Sequence, residues 1–177
     1  DRMSTATETH KAQANGTTHP ACTAWSTRID ALQAWVTAAH CTPSEQTVYA
    51  IDGRPATPFL WDRTLDIAAL RGGPPAEPLP IAYGPVTILT PIITLGFPFG
   101  HRAHHVTTGI SSGQDDKGQS LFGLAVGNGM SGAPVLDARS YLVVGMILQA
   151  ECEPPGWCPF SSGVPGMFGG AGALWTM

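Results

Sequence analysis

The nine residues Gly127-Asn-Gly-Met-Ser-Gly-Ala-Pro-Val135 carry the most information about this chain. Ser131 stands between small residues, a pattern that fits a tight turn with an exposed hydroxyl. The glycines let the N–H groups of Gly129 and Ser131 converge on a developing oxyanion. Taken alone, a glycine-rich turn that contains a serine is more often only a turn. The segment therefore predicts a nucleophile only if a general base stands elsewhere in the chain.

Two further segments supply a candidate base and its partner. His40 follows Trp35-Val-Thr-Ala-Ala39, a strand pattern that runs into small residues. Asp66 opens the apolar run Asp66-Ile-Ala-Ala-Leu70, and a carboxylate at the edge of a buried strand needs a partner such as an imidazole N–H. Singly, such a histidine is more often structural and such an aspartate more often a cap. In the chain order His40, Asp66, Ser131, they match a general base, an orienting acid and a nucleophile.

The ordered set of motifs resembles the chymotrypsin-fold serine endopeptidases, in particular compact bacterial trypsin-like and HtrA-type protease domains or small viral relatives. The matching segments are Val36-Thr-Ala-Ala-His-Cys41, Asp66-Ile-Ala68, Gly127 to Val135, Leu95-Gly-Phe-Pro-Phe-Gly100 and Val106-Thr-Thr-Gly-Ile-Ser-Ser112. The resemblance extends from about residue 21 to residue 150. It implies an all-β fold of two antiparallel six-stranded β-barrels, with the active site between them.

The resemblance also implies a role for each residue. Ser131 would attack the scissile carbonyl, His40 would take its proton, and Asp66 would hold the imidazole. The N–H groups of Gly129 and Ser131 would form the oxyanion hole. This mechanism needs no cofactor, and its partners are protein or peptide substrates. Asp62, which lies in a polar stretch, is the less favoured orienting acid.

The primary specificity pocket follows from the same resemblance. Ala125, six residues before Ser131, would form the pocket base, where trypsins carry an aspartate. The other predicted substrate-binding residues follow the base or line one wall: Val126, Asn128, Leu148, Gln149 and Ala150. Because no anion lies at the base to pair with Arg or Lys, we expect an uncharged, small or medium apolar residue before the cleaved bond.

The four cysteines fall into two local pairs, Cys22 with Cys41 and Cys152 with Cys158. Their spacing permits two disulfides and lacks the paired motifs of a zinc site, and four reduced cysteines are the alternative. The resemblance assigns the first pair to a bridge beside the catalytic histidine. It places the second pair beside the substrate-binding wall, as a bridge or as two free thiols. Disulfides predict a secreted or periplasmic enzyme; the alternative context is a viral polyprotein protease.

Composition limits the class of protein. The 177 residues include 21 Gly and 16 Pro, which exclude a long-helix or coiled-coil protein. Short β-like runs cover residues 21–27, 34–39, 47–51, 66–70, 87–89, 92–96, 105–110, 120–124, 133–136 and 141–148. Residues 1–20 lack an apolar period and are predicted to be a flexible leader. Residues 21–80 are predicted to form the N-terminal barrel and linker, and residues 81–177 the C-terminal barrel and tail.

Charge and the remaining motifs exclude other functions. Nine Lys and Arg residues stand against 13 Asp and Glu, a net charge of -4, so we expect no nucleic-acid partner. No apolar stretch reaches the roughly 20 residues of a membrane span. His101, His104 and His105 lack a nearby acid or cysteine, so we expect no metal site. A catalytically silent binding domain of the same fold is the first alternative. An acyl hydrolase of another fold would place its serine before its histidine.

Overall fold

The computed structural model describes residues 7–11, 22–84, 86–98, 103–116, 118–127, 129–149 and 171–173. In these residues the chain forms strands, and a 3-10 helix lies at Ala39–Cys41. The strands are β1 Thr7–Lys11, β2 Cys22–Ile29, β3 Leu32–Ala38, β4 Tyr49–Ile51, β5 Arg54–Asp62, β6 Ile67–Gly72, β7 Pro91–Gly96, β8 His105–Gln114, β9 Ser120–Gly123, β10 Pro134–Asp137, β11 Val143–Gln149 and β12 Ala171–Ala173.

The strands close into two barrels of six. The first barrel has the order β1-β2-β3-β6-β5-β4, and the second has the order β10-β11-β12-β9-β8-β7. All pairings within the barrels are antiparallel. The predicted all-β architecture of two antiparallel six-stranded barrels is therefore confirmed.

Buried side chains form a core in each barrel and a third cluster between them. Trp35 and Val36 are neighbours on β3, yet they belong to different clusters, because successive side chains of a strand face opposite sides. Trp35 faces the interior of the first barrel. Val36 packs in the cluster that also contains Leu136 and Met146 of the second barrel. This cluster joins the barrels along β2, β3, β10 and β11, the seam where the motif residues lie.

The proline-rich segment after β6 is bonded to both barrels. The Leu79 N–H donates to the Ser26 carbonyl at 2.8 Å, and the Leu79 carbonyl accepts from Oγ1 of Thr27 at 2.8 Å. The next residue, Pro80, accepts a hydrogen bond from the Val143 N–H at 2.9 Å. The connection therefore adds main-chain bonds across the seam.

Three segments differ from the prediction. Thr7–Lys11, which the sequence assigns to a flexible leader, forms strand β1 and pairs with β2 and β4. Main-chain pairing imposes no apolar period, so the sequence pattern does not reveal this strand. Strand β5, Arg54–Asp62, was not predicted, because Pro55 and Pro58 interrupt it. Residues 87–89, predicted as a strand, form part of a turn closed by the Thr90 N–H on the Thr87 carbonyl at 3.2 Å.

Candidate active site

His40 and Asp66 lie at the same end of two paired strands. β3 ends at Ala38 and β6 begins at Ile67, and these two residues face each other in the ladder. The 3-10 helix that follows β3 carries His40, and the residue before β6 is Asp66. The Ala39 N–H donates to the Asp66 main-chain carbonyl at 3.0 Å, which continues the pairing by one step. Strand register alone therefore brings the two side chains together.

Both carboxylate oxygens of Asp66 bind His40. Oδ1 accepts the main-chain N–H of His40 at 2.8 Å, and Oδ2 lies 2.7 Å from ring Nδ1. An ionised carboxylate can only accept hydrogen bonds, so the contact places a proton on Nδ1 and leaves Nε2 as the acceptor. Asp66 adopts a positive φ of 57°, a region that aspartate tolerates better than most residues. The result is an imidazole fixed in position and tautomer.

Asp62 has a different role from that of Asp66. Its Oδ1 accepts the N–H groups of Thr64 and Leu65 at 2.8 and 3.0 Å. These bonds cap the turn that leads to Asp66. In the same loop, the Arg63 guanidinium donates to the Pro43 carbonyl at 3.4 Å. Asp62 thus shapes the loop, and it is Asp66 that contacts the histidine ring.

The turn around Ser131 is built on two glycines with positive φ. Gly129 has φ 99° and Gly132 has φ 87°, values that other residues rarely adopt. The Gly132 N–H donates to the Ile147 carbonyl at 2.6 Å, and the Ile147 N–H donates to the Ala133 carbonyl at 2.9 Å. These bonds fix the turn to β11. In the described part of the chain, the N–H groups of Gly129 and Ser131 donate to no protein acceptor.

The Ser131 turn reaches across the seam to the histidine segment. The Thr23 N–H on β2 donates to the Ser131 carbonyl at 2.9 Å. The same carbonyl oxygen lies 3.9 Å from Sγ of Cys41, the residue after His40. A disulfide joins Cys41 to Cys22, with 6.1 Å between the Cα atoms. The bridge that the family resemblance implied is thus present, and it ties the histidine segment to the strand that contacts Ser131.

The other predicted site residues are placed as follows. Ala125 is half-buried, while Val126 and Leu148 are buried in the second-barrel core and the seam cluster. Gln149 ends β11. Residues Asn128, Ala150, Cys152, Cys158 and His101 lie outside the described residues. The structure therefore describes four of the six residues predicted to bind the substrate, and their role in a specificity pocket stays a prediction.

The remaining histidines and the cysteines define no metal site in the described residues. His104 and His105 are exposed, and the His104 ring meets the Phe97 ring edge-on at 6.1 Å between centroids. The one group of ligand-type atoms found among the described residues joins His40 to the two disulfide sulfurs. Sulfurs bonded to each other do not serve as thiolate ligands.

Two buried threonines at the site were missed from the sequence. Thr23 and Thr37 are both fully buried, and Oγ1 of Thr37 donates to the Thr23 carbonyl at 2.8 Å. Oγ1 of Thr23 donates to the Gly129 carbonyl at 2.8 Å. The sequence shows only two polar residues inside apolar strand patterns, and this pattern does not predict which groups their hydroxyls bond.

Comparison with known proteins gives a family match and several similar folds. The family model of the trypsin-like peptidase domain matches residues 22–146. No curated protein matches the chain.

Among the described residues, no helix has the length and apolarity needed to cross a membrane.

Solved structures with a similar fold include two proteases. The serine endoprotease from Yersinia pestis has a TM-score of 0.69 and 18% identity, and the match covers 88% of this chain and 57% of that one. An inactive form of Rv3671c from M. tuberculosis H37Rv has a TM-score of 0.63 and 20% identity, covering 85% and 77%. At these identities the similarity is one of fold. This chain spans little more than half of the Yersinia chain.

Proposed function

This chain belongs to the trypsin-like peptidase family, and on that premise we propose that it is a serine endopeptidase that acts through His40, Asp66 and Ser131. The observation that carries the proposal is the double contact of His40 with Asp66, at 2.8 and 2.7 Å. An imidazole held in this way presents Nε2 as an acceptor, which is what a general base for a serine hydroxyl requires. The neighbouring glycine turn supplies the serine.

The reaction would proceed through an acyl-enzyme intermediate. Nε2 of His40 takes the hydroxyl proton as Oγ of Ser131 bonds to the scissile carbonyl carbon. The imidazolium, stabilised by Asp66, returns that proton to the leaving amine as the C–N bond breaks. Water then repeats the sequence on the ester, releasing the new carboxyl terminus and the free serine.

The oxyanion of each tetrahedral intermediate would be bound by the N–H groups of Gly129 and Ser131. Two features support this assignment: both groups lack an acceptor within the described chain, and Gly129 has the positive φ of 99° that a glycine supplies at low cost. Preorganised donors of this kind contribute about 3 kcal/mol each to transition-state stabilisation.

The pocket residues support a preference for an uncharged, small or medium apolar side chain before the cleaved bond. Ala125 is half-buried and uncharged, and the neighbouring Val126 is 6% exposed. A base of this kind offers no counterion to Arg or Lys. Digestion of a peptide library tests the preference, and cleavage confined to Arg, Lys or Glu sites would overturn it.

The compartment we propose is the cell exterior or the periplasm. The support is the Cys22–Cys41 disulfide, since structural disulfides persist in oxidising compartments. Fractionation of the producing cells tests the location. Recovery of the protein from the cytosol with reduced Cys22 and Cys41 would contradict it.

Hydrolysis of fluorescein-labelled casein tests the function itself. Ser131→Ala is expected to abolish measurable turnover. Ser140→Ala, in the exposed turn between β10 and β11, is the matched control and is expected to retain the wild-type rate. Activity in purified Ser131→Ala equal to that of the wild type would show that another group performs the reaction.

A further inference from the structure

The hydroxyl of Thr23 connects the first barrel to the turn that carries Ser131. Thr23 is fully buried on β2, directly after the disulfide residue Cys22. Its Oγ1 donates to the Gly129 carbonyl at 2.8 Å and accepts the Phe97 N–H at 3.1 Å. One hydroxyl thus satisfies two main-chain groups of the second barrel.

The main chain of Thr23 contacts the same turn. Its N–H donates to the Ser131 carbonyl at 2.9 Å, and its carbonyl accepts Oγ1 of Thr37 at 2.8 Å. Thr23 therefore binds the carbonyls at both ends of the segment from Gly129 to Ser131. The two N–H groups assigned to the oxyanion hole belong to the end residues of this segment.

Two glycines allow the close approach that these bonds require. A Cβ at Gly132 would lie 2.2 Å from the Thr23 carbonyl oxygen, and a Cβ at Gly96 would lie 2.9 Å from Oγ1 of Thr23. Contacts this short are sterically forbidden to a side chain. Glycines on both sides of the threonine thus leave room for its contact with the turn.

We propose that Thr23 is a positioning residue for catalysis, whose hydroxyl holds the Gly129 carbonyl and so keeps the N–H groups of Gly129 and Ser131 aimed at the oxyanion. This inference rests on the proposed function. Gly129 has no side chain to restrict its main chain, and a functional group must be held to within about 0.5 Å to be productive. The hydrogen bond from Thr23 supplies the missing restraint.

Three variants separate positioning from general stability. Thr23→Val removes the hydroxyl and keeps the shape, while Thr23→Ser keeps the hydroxyl. Thr27→Val is the matched control, because Thr27 is also buried on β2 and donates to a main-chain carbonyl, that of Leu79, at 2.8 Å. The readouts are the rate of labelling by a fluorophosphonate probe, kcat and KM for labelled casein, and the melting temperature.

The expected result is a selective loss of rate. Deleting an oxyanion donor costs about 10²- to 10³-fold, and a loosened donor should cost less, so we expect about a 10- to 100-fold fall in kcat and labelling rate for Thr23→Val. KM should stay within about twofold, because the ground-state substrate does not use these donors. Thr23→Ser and Thr27→Val should stay within about threefold of the wild type.

Three other results would overturn either the positioning role of Thr23 or the proposed function. Labelling of Thr23→Val at the wild-type rate, or an equal loss in Thr27→Val, overturns the positioning role. Failure of the wild type to label at Ser131 overturns the proposed function instead. Should Thr23→Val not fold, Thr23→Ser and Thr23→Ala are compared, since these two differ only in the hydroxyl oxygen.

Discussion

Replacing Asp66 by Asn tests the role of the histidine partner with almost no change of shape. The His40 main-chain N–H, 2.8 Å from Oδ1, will continue to select an oxygen at that position. The amide nitrogen is then forced to the position of Oδ2, 2.7 Å from Nδ1. An amide N–H₂ can only donate, so Nδ1 must become the acceptor and Nε2 must carry the proton. The imidazole then cannot accept the proton of Ser131.

The magnitude follows from two contributions. Losing a charged acceptor for the Nδ1 proton costs about 1.5 to 3 kcal/mol, and restoring the active tautomer against a facing donor costs about 1 to 3 kcal/mol more. At about 1.4 kcal/mol per tenfold, this range corresponds to roughly 10²- to 10⁴-fold in rate. The side chains of His40 and Asp66 are 47% and 29% exposed, so water competes for the unpaired groups. We therefore expect a loss of about 10³-fold.

The assay compares initial rates of labelled-casein hydrolysis, with circular dichroism to verify the fold. Asp62→Asn is the matched control. Its Oδ1 caps the turn at Thr64 and Leu65, and an asparagine oxygen can accept the same bonds, so the rate should stay within about threefold. If Asp66→Asn keeps more than a tenth of the activity, or if Asp62→Asn loses as much as Asp66→Asn, Asp66 does not select the tautomer of His40.

Two further predictions concern the framework of the site. Gly132→Ala combines a φ of 87° with a Cβ placed 2.2 Å from the Thr23 carbonyl oxygen, and it should lower the free energy of unfolding in urea by about 3 kcal/mol or more. Gly53→Ala, with φ 74° and nothing within 4 Å, should cost only about 1 kcal/mol, and equal losses in the two variants would contradict the steric argument. Replacing both Cys22 and Cys41 by Ala opens a bridge with a sequence separation of 19 and should cost about 3 kcal/mol in the same assay, whereas an unchanged unfolding curve would mean that the bridge contributes nothing.

The sequence predicted the parts of the site that depend on local pattern. His40 and Asp66 each border an apolar strand in the sequence, and the glycines around Ser131 indicate a tight turn. His40 and Asp66 come together because β3 pairs with β6 in antiparallel order, with Ala38 facing Ile67. Local motifs in a fixed order were thus enough to reveal the family resemblance, and that resemblance in turn implied the fold and the candidate catalytic residues.

Strand β5 was missed because proline normally argues against a strand. In the structure, Pro55 pairs with Ala50, and the ladder of β5 with β6 shifts register between Pro58 and Leu60. Such an irregularity accommodates a residue that cannot donate to the ladder. At Ile88 and Leu89 a strand was predicted where the structure has a turn, and these apolar side chains are 58% and 68% exposed. Hydrophobicity alone carried no information about their exposure.

The contacts of Thr23 could not be predicted from the sequence, for a different physical reason. Its partner Gly129 is 106 residues away, and Phe97 is 74 residues away. These bonds form only when the barrels pack along β2 and β11. Most buried hydroxyls have a hydrogen-bond partner, but the sequence does not say which main-chain group the tertiary fold will bring to Oγ1 of Thr23.

Mapping the site of fluorophosphonate attachment tests the central claim most directly. The wild-type protein is labelled, digested and analysed by mass spectrometry, alongside His40→Ala as the variant without the general base. We expect one adduct, on Oγ of Ser131, and at least a hundredfold slower labelling in His40→Ala, within the range that general-base catalysis supplies. An adduct on another residue, no adduct in the wild type, or equal labelling of the two proteins would contradict this expectation.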